Sequence, residues 1–123
     1  MINVINIPIY RCSVIALIGA SKQEWLEFYS THREQITEKD NVRVCDEFDE
    51  NIPGFVIATE GNDYVVYVSD KDKLGLTVHE LLHTAYMILS HRGYQHGQDS
   101  EALAYLLEYI TNEFYLIADK EEY

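Results

Sequence analysis

The sequence has few cysteines, few basic residues and no long apolar segment, and each shortage excludes a class of protein. Its two cysteines, Cys12 and Cys45, are too few and too far apart for a disulfide framework or a cysteine metal cluster. The apolar run SVIALIGA, at positions 13–20, is far too short to span a membrane. We therefore expect no disulfide scaffold and no membrane association.

Basic residues are scarce, since nine Lys and Arg stand against 21 Asp and Glu and give a formal net charge of −12. That balance excludes nucleic-acid binding through phosphate neutralisation and is typical of a solvated acidic surface. An acidic surface can also imitate DNA, and this stays an alternative. No signal peptide is predicted, because Pro8 interrupts the segment and only Arg11 supplies positive charge. We expect a cytoplasmic monomer.

The length and composition indicate one globular domain over residues 1–123. Apolar residues make up 47% of the chain and charged residues 24%, a balance that favours a packed core over disorder. A chain of this length can bury one core and is too short for two.

Three segments predict β-structure. Residues 2–18 are rich in Val and Ile and predict one or two strands, with Pro8 marking an edge or a break. Residues 55–68 contain two β-rich runs around Glu60–Asp63, whose Gly and Asn tolerate positive φ and so favour a hairpin. The segment RVCDEF, at 43–48, predicts a further short strand.

Three helices are predicted from apolar residues at helical spacing. The first follows the capping-box pattern SKQE at 21–24 and runs for about four turns to Ile36. The second covers LTVHELLHTAYMILSHRG and ends at Gly93, and the third covers 100–118. The predicted core faces are Leu82, Ala85, Tyr86 and Leu89 on the second helix, and Leu103, Leu107, Ile110, Phe114 and Ile117 on the third. The order β-α-β-β-α-α predicts an α+β domain, a small sheet backed by helices.

The segment HELLH, at positions 79–83, carries the chemistry of the chain. Residues four apart lie one above the other on a helix, so His79 and His83 can bind the same metal ion. Neutral imidazole is a common Zn²⁺ ligand, and Zn²⁺ lowers the pKa of bound water to about 7. Glu80 lies beside that face, where it can act as general base on the zinc-activated water. The preceding hairpin offers a sheet edge that can hold an extended peptide.

The same segment also has a purely structural interpretation. Glu80 follows Thr77 by three residues, so TVHE can be a capping box in which Glu80 only bonds the start of a helix. Under that interpretation the two histidines are incidental to the helix.

A catalytic zinc ion needs a third protein ligand and an open position for water. The extended motif HExxHxxGxxH is excluded, because Tyr86 and Leu89 occupy its Gly and His positions. His91 is not favoured, because it lies near the helix end and about 80° from the face that carries the other two histidines.

The remaining candidates for the third ligand follow the second helix: Glu101, which is favoured, and His96 and Asp99. Glu101 begins the last helix, where an adjacent antiparallel helix can bring a carboxylate to the metal. A polar stripe that can line the site continues from it through Tyr105, Glu108 and Asn112.

The segments TVHELLHTAYMIL and DSEALAYLLEYI, with the hairpin before them, resemble small HExxH proteins encoded by bacteriophages and prophages. The chain is similar, more distantly, to prophage metallopeptidases of the ImmA/IrrE type. The resemblance covers most of the chain and implies a minimal zincin-like domain of the gluzincin kind. It implies that His79, His83 and Glu101 bind zinc and that Glu80 is the general base. It implies no substrate.

A counterpart of the His or Tyr that stabilises the oxyanion in larger zinc peptidases is not evident in the sequence. A phenol or imidazole near the metal can take this role, and Tyr94, Tyr105 and His96 are the candidates. Tyr105 ranks first because it lies one helical turn from Glu101.

The sequence therefore predicts a zinc-dependent hydrolase of the peptidase class, acting on a peptide or protein substrate. Two alternatives remain. One is a zinc-containing binding or regulatory protein without turnover, and the other is a metal-free acidic DNA mimic that inhibits a DNA-binding protein.

Overall fold

A computed structural model describes residues 1–94 and 100–120 of the chain. Over these ranges the protein is an α+β fold with a small four-stranded mixed sheet and four helices, so the predicted fold class is confirmed at that level. The strands are β1 (Ile2–Ile7), β2 (Cys12–Ile18), β3 (Gly54–Ala58) and β4 (Tyr64–Val68). The helices are α1 (Lys22–Thr31), α2 (Glu38–Asp49), α3 (Leu74–His91) and α4 (Ser100–Lys120).

The strand order in the sheet is β1-β2-β4-β3, which leaves β1 and β3 at the two edges. β1 and β2 are antiparallel and are joined through a 3-10 turn, Pro8–Tyr10. β2 pairs with β4 in parallel, and β3 pairs with β4 as the predicted antiparallel hairpin. Asn62 takes a positive φ of 65° in the turn of that hairpin, a conformation that asparagine adopts more readily than most residues.

The sheet is covered by helices on both faces. On β2 the buried residues Val14, Ala16 and Ile18 belong to the core that contains α3 and α4. Ile15 and Leu17 of the same strand belong to the core that contains α1 and α2. This explains the continuous apolar run at 13–20, because a strand buried on both faces does not alternate with polar residues.

Helix α1 begins as predicted and ends early. The Ser21 hydroxyl accepts a hydrogen bond from the backbone N–H of Glu24, whose carboxylate accepts from the Ser21 N–H, so the capping box is confirmed. The helix ends at Thr31 and does not continue to Ile36. The hydroxyls of Ser30 and Thr31 donate to carbonyls three residues back, a local bonding pattern that competes with helix propagation.

The predicted strand over 43–48 is wrong, because this segment belongs to helix α2. The physical reason lies just before it, where the Thr37 hydroxyl accepts from the backbone N–H of Asp40 and Asp40 bonds back to the Thr37 N–H. This second capping box starts a helix. Val44 is fully buried and anchors that helix on the sheet.

The face of α3 that is buried differs from the predicted face by a rotation about the helix axis. The prediction is wrong for two residues. Leu82 and Tyr86 are 41% and 43% exposed. The apolar residues that α3 buries are Leu81, Ala85, Ile88 and Leu89. The predicted end of the helix is confirmed, since α3 stops at His91 and Gly93 follows with a φ of +82°.

Helix α4 buries Leu106, Ile110, Phe114 and Ala118. Ile110 and Phe114 confirm part of the predicted stripe, whereas the other predicted members are only half-buried: Leu103, Leu107 and Ile117. In the described part of the chain, no helix is long and apolar enough to cross a membrane.

Helices α3 and α4 pack side by side on one face of the sheet. α3 contacts β3 and β4, whereas α4 contacts β1 and α3. Lys71, just before α3, donates to the backbone carbonyl of Ala118 near the end of α4. The two helices are therefore antiparallel, and the start of α4 lies towards the end of α3.

Candidate metal centre

The two histidines of HELLH lie side by side on the exposed surface of α3. His79 Nε2 and His83 Nε2 are 3.2 Å apart, and the ring planes meet at 79°. The motif lies well inside α3, because the helix begins at Leu74. The i, i+4 spacing therefore brings the two imidazoles together as predicted.

The distance between the two nitrogens fits a bound zinc ion. Zinc–nitrogen bonds of about 2.0–2.1 Å to both atoms would meet at an angle of about 100°, close to the tetrahedral value. The same distance also suits a hydrogen bond between a protonated and an unprotonated ring nitrogen. The pair thus provides two imidazole donors in a geometry that zinc accepts.

The structure excludes the interpretation of Glu80 as a helix cap. α3 starts three residues before Thr77, and the Thr77 backbone N–H donates to the carbonyl of Lys73 within the helical bonding pattern. Glu80 therefore lies in the helix interior, where no helix start needs its carboxylate.

The Glu80 side chain extends from α3 and packs against Gly54, the first residue of β3. Its side chain is buried, with 7% of the residue exposed. A Cβ added at Gly54 would lie 2.9 Å from Glu80 Cγ and 3.0 Å from Oε1. Glycine at this position therefore makes room for the carboxylate at the edge of the sheet. This requirement for glycine at position 54 was not predicted from the sequence.

Burial raises the pKa of the Glu80 carboxyl above its usual value near 4.5, and the nearby His79 and His83 imidazoles act in the opposite direction. A carboxylate with a raised pKa binds a proton more readily near neutral pH, which suits a general base. Glu80 is thus a buried carboxylate with a raised pKa, close to the two imidazoles.

This shift in pKa predicts a pH dependence of stability in chelator-treated protein. The folded state binds the Glu80 proton more tightly than the unfolded state, so Glu80 lowers stability as pH rises from about 4.5 through its folded pKa. Glu80→Gln has no such loss. The midpoint of thermal unfolding of Glu80→Gln should exceed that of the wild type at pH 7, and this difference should shrink at pH 4.

The control for that measurement is Glu27→Gln on α1, where the carboxylate is exposed. It makes the same chemical change at a surface site and is measured at the same two pH values. A constant difference between Glu80→Gln and wild type across pH 4–8 would contradict the raised pKa.

The free edge of β3 lies beside Glu80. The Ser69 N–H donates to the Pro53 carbonyl, and the Thr59 N–H donates to the Asp63 carbonyl. Because hydrogen-bonded pairs alternate along an antiparallel ladder, the backbone groups of Gly54, Val56 and Ala58 point away from β4.

Arg43 closes one end of this edge. Its guanidinium donates to the outward carbonyl of Ala58 at 2.9 Å. The outward groups of Gly54 are next to Glu80, and those of Val56 follow two residues further along the strand. An extended peptide can therefore pair with β3 over a short stretch that begins beside the carboxylate.

The structure does not bring Glu101 together with the two histidines. Glu101 is exposed in the first turn of α4, towards the end of α3. His83 lies eight residues before His91, which is about 12 Å along the helix axis. Within residues 1–94 and 100–119, no three His, Cys, Asp or Glu side chains are placed to hold one metal ion. His96 and Asp99 lie outside the described residues.

The tyrosines predicted near the metal lie elsewhere. Tyr105 lines a groove with residues 7–10, on the side of α4 that faces β1. The Tyr94 ring packs edge-on against Tyr10, with 6.0 Å between the ring centres. His96 is not among the described residues.

His91 has a structural partner in the core. Its Nδ1 lies 2.8 Å from the Tyr64 hydroxyl, which also accepts a hydrogen bond from Arg92 at 2.9 Å. Tyr64 is fully buried, so these contacts satisfy its hydroxyl inside the core.

No protein family model matches the chain, and neither a curated protein nor a solved structure matches it. The resemblance to phage HExxH proteins therefore stays a prediction.

Proposed function

We propose that the protein is a zinc-dependent hydrolase that cleaves peptides at the site formed by α3 and the edge of β3. The observation that carries the proposal is the 3.2 Å separation of His79 Nε2 and His83 Nε2. Zinc held by these nitrogens would supply Lewis acidity, which polarises a carbonyl and acidifies water.

Glu80 acts as the general base in this proposal. Its carboxylate accepts a proton from water as the water oxygen attacks the carbonyl carbon of the scissile peptide bond. The C–N bond then breaks, and Glu80 returns the proton to the departing amine. Water is consumed and one acid and one amine form, so no further reactant is needed.

The edge of β3 positions the substrate in this proposal. An extended peptide pairs with the outward backbone groups of Gly54 and Val56, beside the Glu80 carboxylate. Backbone pairing fixes the peptide without requiring a particular side chain, because each residue contributes one N–H and one C=O group.

The wild-type chain tests the proposal directly. Purified without chelator, or reconstituted with zinc after chelation, it should bind one zinc ion per chain and cleave members of a broad panel of unstructured peptides. A chain that folds fully and binds no zinc would refute the proposal. Zinc binding without cleavage of any peptide would favour the alternative of a binding or regulatory protein.

The third ligand can be assigned by single substitutions. We propose Glu101, which has to approach the histidines when zinc binds, and His96 and Asp99 are the alternatives. Glu101→Ala should weaken zinc binding by more than about 100-fold, since this exceeds the loss typical of removing an outer-shell partner. Calorimetric titration of His96→Ala and Asp99→Ala provides the comparison. If either of them shows the loss and Glu101→Ala does not, the assignment of Glu101 is wrong.

Gly54 provides a test of how closely Glu80 must be positioned. The methyl group of Gly54→Ala would displace the Glu80 side chain, so peptide hydrolysis should fall by about 100-fold, the effect of an ångström-scale displacement. Zinc affinity should be unchanged, because the three atoms nearest to the added methyl all belong to Glu80.

The matched control is Gly75→Ala in the first turn of α3, where an added Cβ meets nothing within 4 Å. It should retain full activity. Equal rates for the two alanine variants would contradict the proposed coupling between β3 and Glu80.

A further inference from the structure

A second concave surface lies between α4 and the 3-10 turn after β1, and we call it the α4 groove. Residues 7–10 form one wall, and Ala102, Tyr105, Leu106 and Tyr109 form the other. Its volume is about 640 Å³, within the range of about 300–1,000 Å³ that is usual for binding pockets. The residues that line the groove include neither the two histidines nor Glu80.

Large apolar side chains are exposed in the α4 groove and beyond it along α4. Ile9 is 82% exposed and Tyr105 is 68% exposed. Leu116 is 55% exposed and follows Tyr105 and Tyr109 at helical spacing, so all three lie on one face of α4. They extend over about 16 Å, or three helical turns. An apolar strip of this length is typical of an interaction surface.

The α4 groove is fixed before any partner arrives. The Tyr109 hydroxyl donates to the Asn6 carbonyl of β1 at 2.8 Å. The Tyr10 carbonyl accepts from Arg92 Nε at 3.0 Å, and the Tyr10 ring packs on Tyr94. A preformed surface costs less to occupy than one that must first be ordered.

Acidic residues flank the apolar strip. Glu101, Glu108 and Asp119 are exposed and lie nearly in line along α4, because their spacings of 7 and 18 residues are close to whole numbers of turns. Glu113 follows Tyr109 by one turn. The sequence of α4 contains these four acids and a single base, Lys120. A second copy of the chain would place the same acidic row against itself, so the charge favours a basic partner.

We propose that the α4 groove binds an amphipathic helix of a partner protein whose apolar face is bordered by Lys and Arg. Apolar side chains at positions i, i+4, i+7 and i+11 of that helix would contact Ile9 and the strip formed by Tyr105, Tyr109 and Leu116. Its basic residues would lie against Glu108 and Asp119. The apolar groove requires apolar side chains on the partner helix, and the acidic border requires Lys or Arg beside them.

The probe is a fluorescein-labelled helical peptide of about 14 Leu and Lys residues, long enough to form a helix when bound. Leucine occupies positions i, i+4, i+7 and i+11. Fluorescence anisotropy should show at least about 10-fold tighter binding than a scrambled peptide of the same composition, a difference of about 1.4 kcal/mol. A peptide with Glu in place of Lys should not bind. Equal binding of the scrambled peptide would overturn the proposal, because it would show only general attraction to an acidic protein.

Surface variants locate the binding. Ile9→Glu and Tyr105→Glu should each weaken the Leu/Lys peptide at least about 10-fold. The control is Val42→Glu on α2, which makes the same change at a residue that is 52% exposed on the opposite face of the sheet. Circular dichroism checks that all three variants are folded. An equal loss for Val42→Glu would overturn the proposal.

The charge border and the alternative occupant are tested separately. Glu108→Gln combined with Asp119→Asn should weaken the peptide and reduce the dependence of its binding on salt. Sedimentation of the wild type should show a monomer. A dimer that Tyr105→Glu converts to monomers would overturn the proposal, because the occupant of the groove would be a second copy of the chain.

Discussion

Replacing Glu80 with glutamine is expected to lower peptide hydrolysis by about 10²–10⁴-fold while zinc remains bound. Glutamine keeps the size of the side chain and still fits against Gly54, but its amide cannot accept a proton from water. The two histidines are untouched, so zinc affinity should stay close to that of the wild type. Initial rates on a cleaved peptide, measured with equal zinc loading, give the comparison.

The control for this variant is again Glu27→Gln, since Glu27 is exposed on α1 across the sheet. It should hydrolyse peptide at the wild-type rate. A Glu80→Gln protein that keeps most of the wild-type rate would remove Glu80 from the mechanism and leave zinc as the only catalytic group. That outcome would not affect the metal site itself.

Replacing His83 with alanine should remove zinc from the protein. The 3.2 Å pair of nitrogens is lost, and a single imidazole with one further ligand binds zinc weakly. We expect zinc affinity to fall by far more than the 10- to 100-fold typical of an outer-shell change, and hydrolysis to fall with it. His79→Ala should behave in the same way. Metal analysis after dialysis measures the loss.

His32→Ala serves as the control because His32 lies at the end of α1, where its ring stacks on Phe28 at 3.8 Å between ring centres. It should keep one zinc ion per chain. If His83→Ala also keeps a full zinc ion with unchanged affinity, the imidazole pair is not the metal site. The 3.2 Å contact would then be a hydrogen bond between two surface rings.

The part of the site that could be predicted from sequence depends on local geometry. The spacing of His79 and His83 brings their rings together on any regular helix, and the Gly-Asn turn brings β3 alongside β4. These relations span a few residues and do not depend on the rest of the fold. The same is true of the Ser21–Glu24 capping box.

The rest depends on how helices turn about their axes. α4 carries apolar side chains around most of its circumference, so several faces could be buried, and spacing alone did not identify the right one. The prediction that Glu101 lies beside the metal and that Tyr105 faces it needs this rotation and also the axial offset of α4 against α3. The rotation and the axial offset of α4 are both set by packing against β1 and α3. Neither can be predicted from the sequence of a short segment.

The wrong prediction of a strand over RVCDEF has a different cause. Val44 and Phe48 suit a strand or a helix, and the decisive signal is the Thr37–Asp40 capping box six residues upstream of RVCDEF. Gly54 was not identified for a related reason. Its role is to leave space for a side chain that arrives from α3, and an absent Cβ has no signature until the partner is known.

The two edges of the sheet have a consequence for aggregation. On β1 the outward carbonyl of Asn6 is taken by Tyr109, and on β3 the outward carbonyl of Ala58 is taken by Arg43. Each bond interrupts the row of backbone groups on which a misfolded or neighbouring chain would add a strand and begin to grow an aggregate. The stretch of β3 beyond the Arg43 bond is only a few residues long and ends beside Glu80. Self-templated strand addition is therefore disfavoured at both edges, and the short stretch of β3 near Glu80 keeps free outward backbone groups for the proposed peptide substrate.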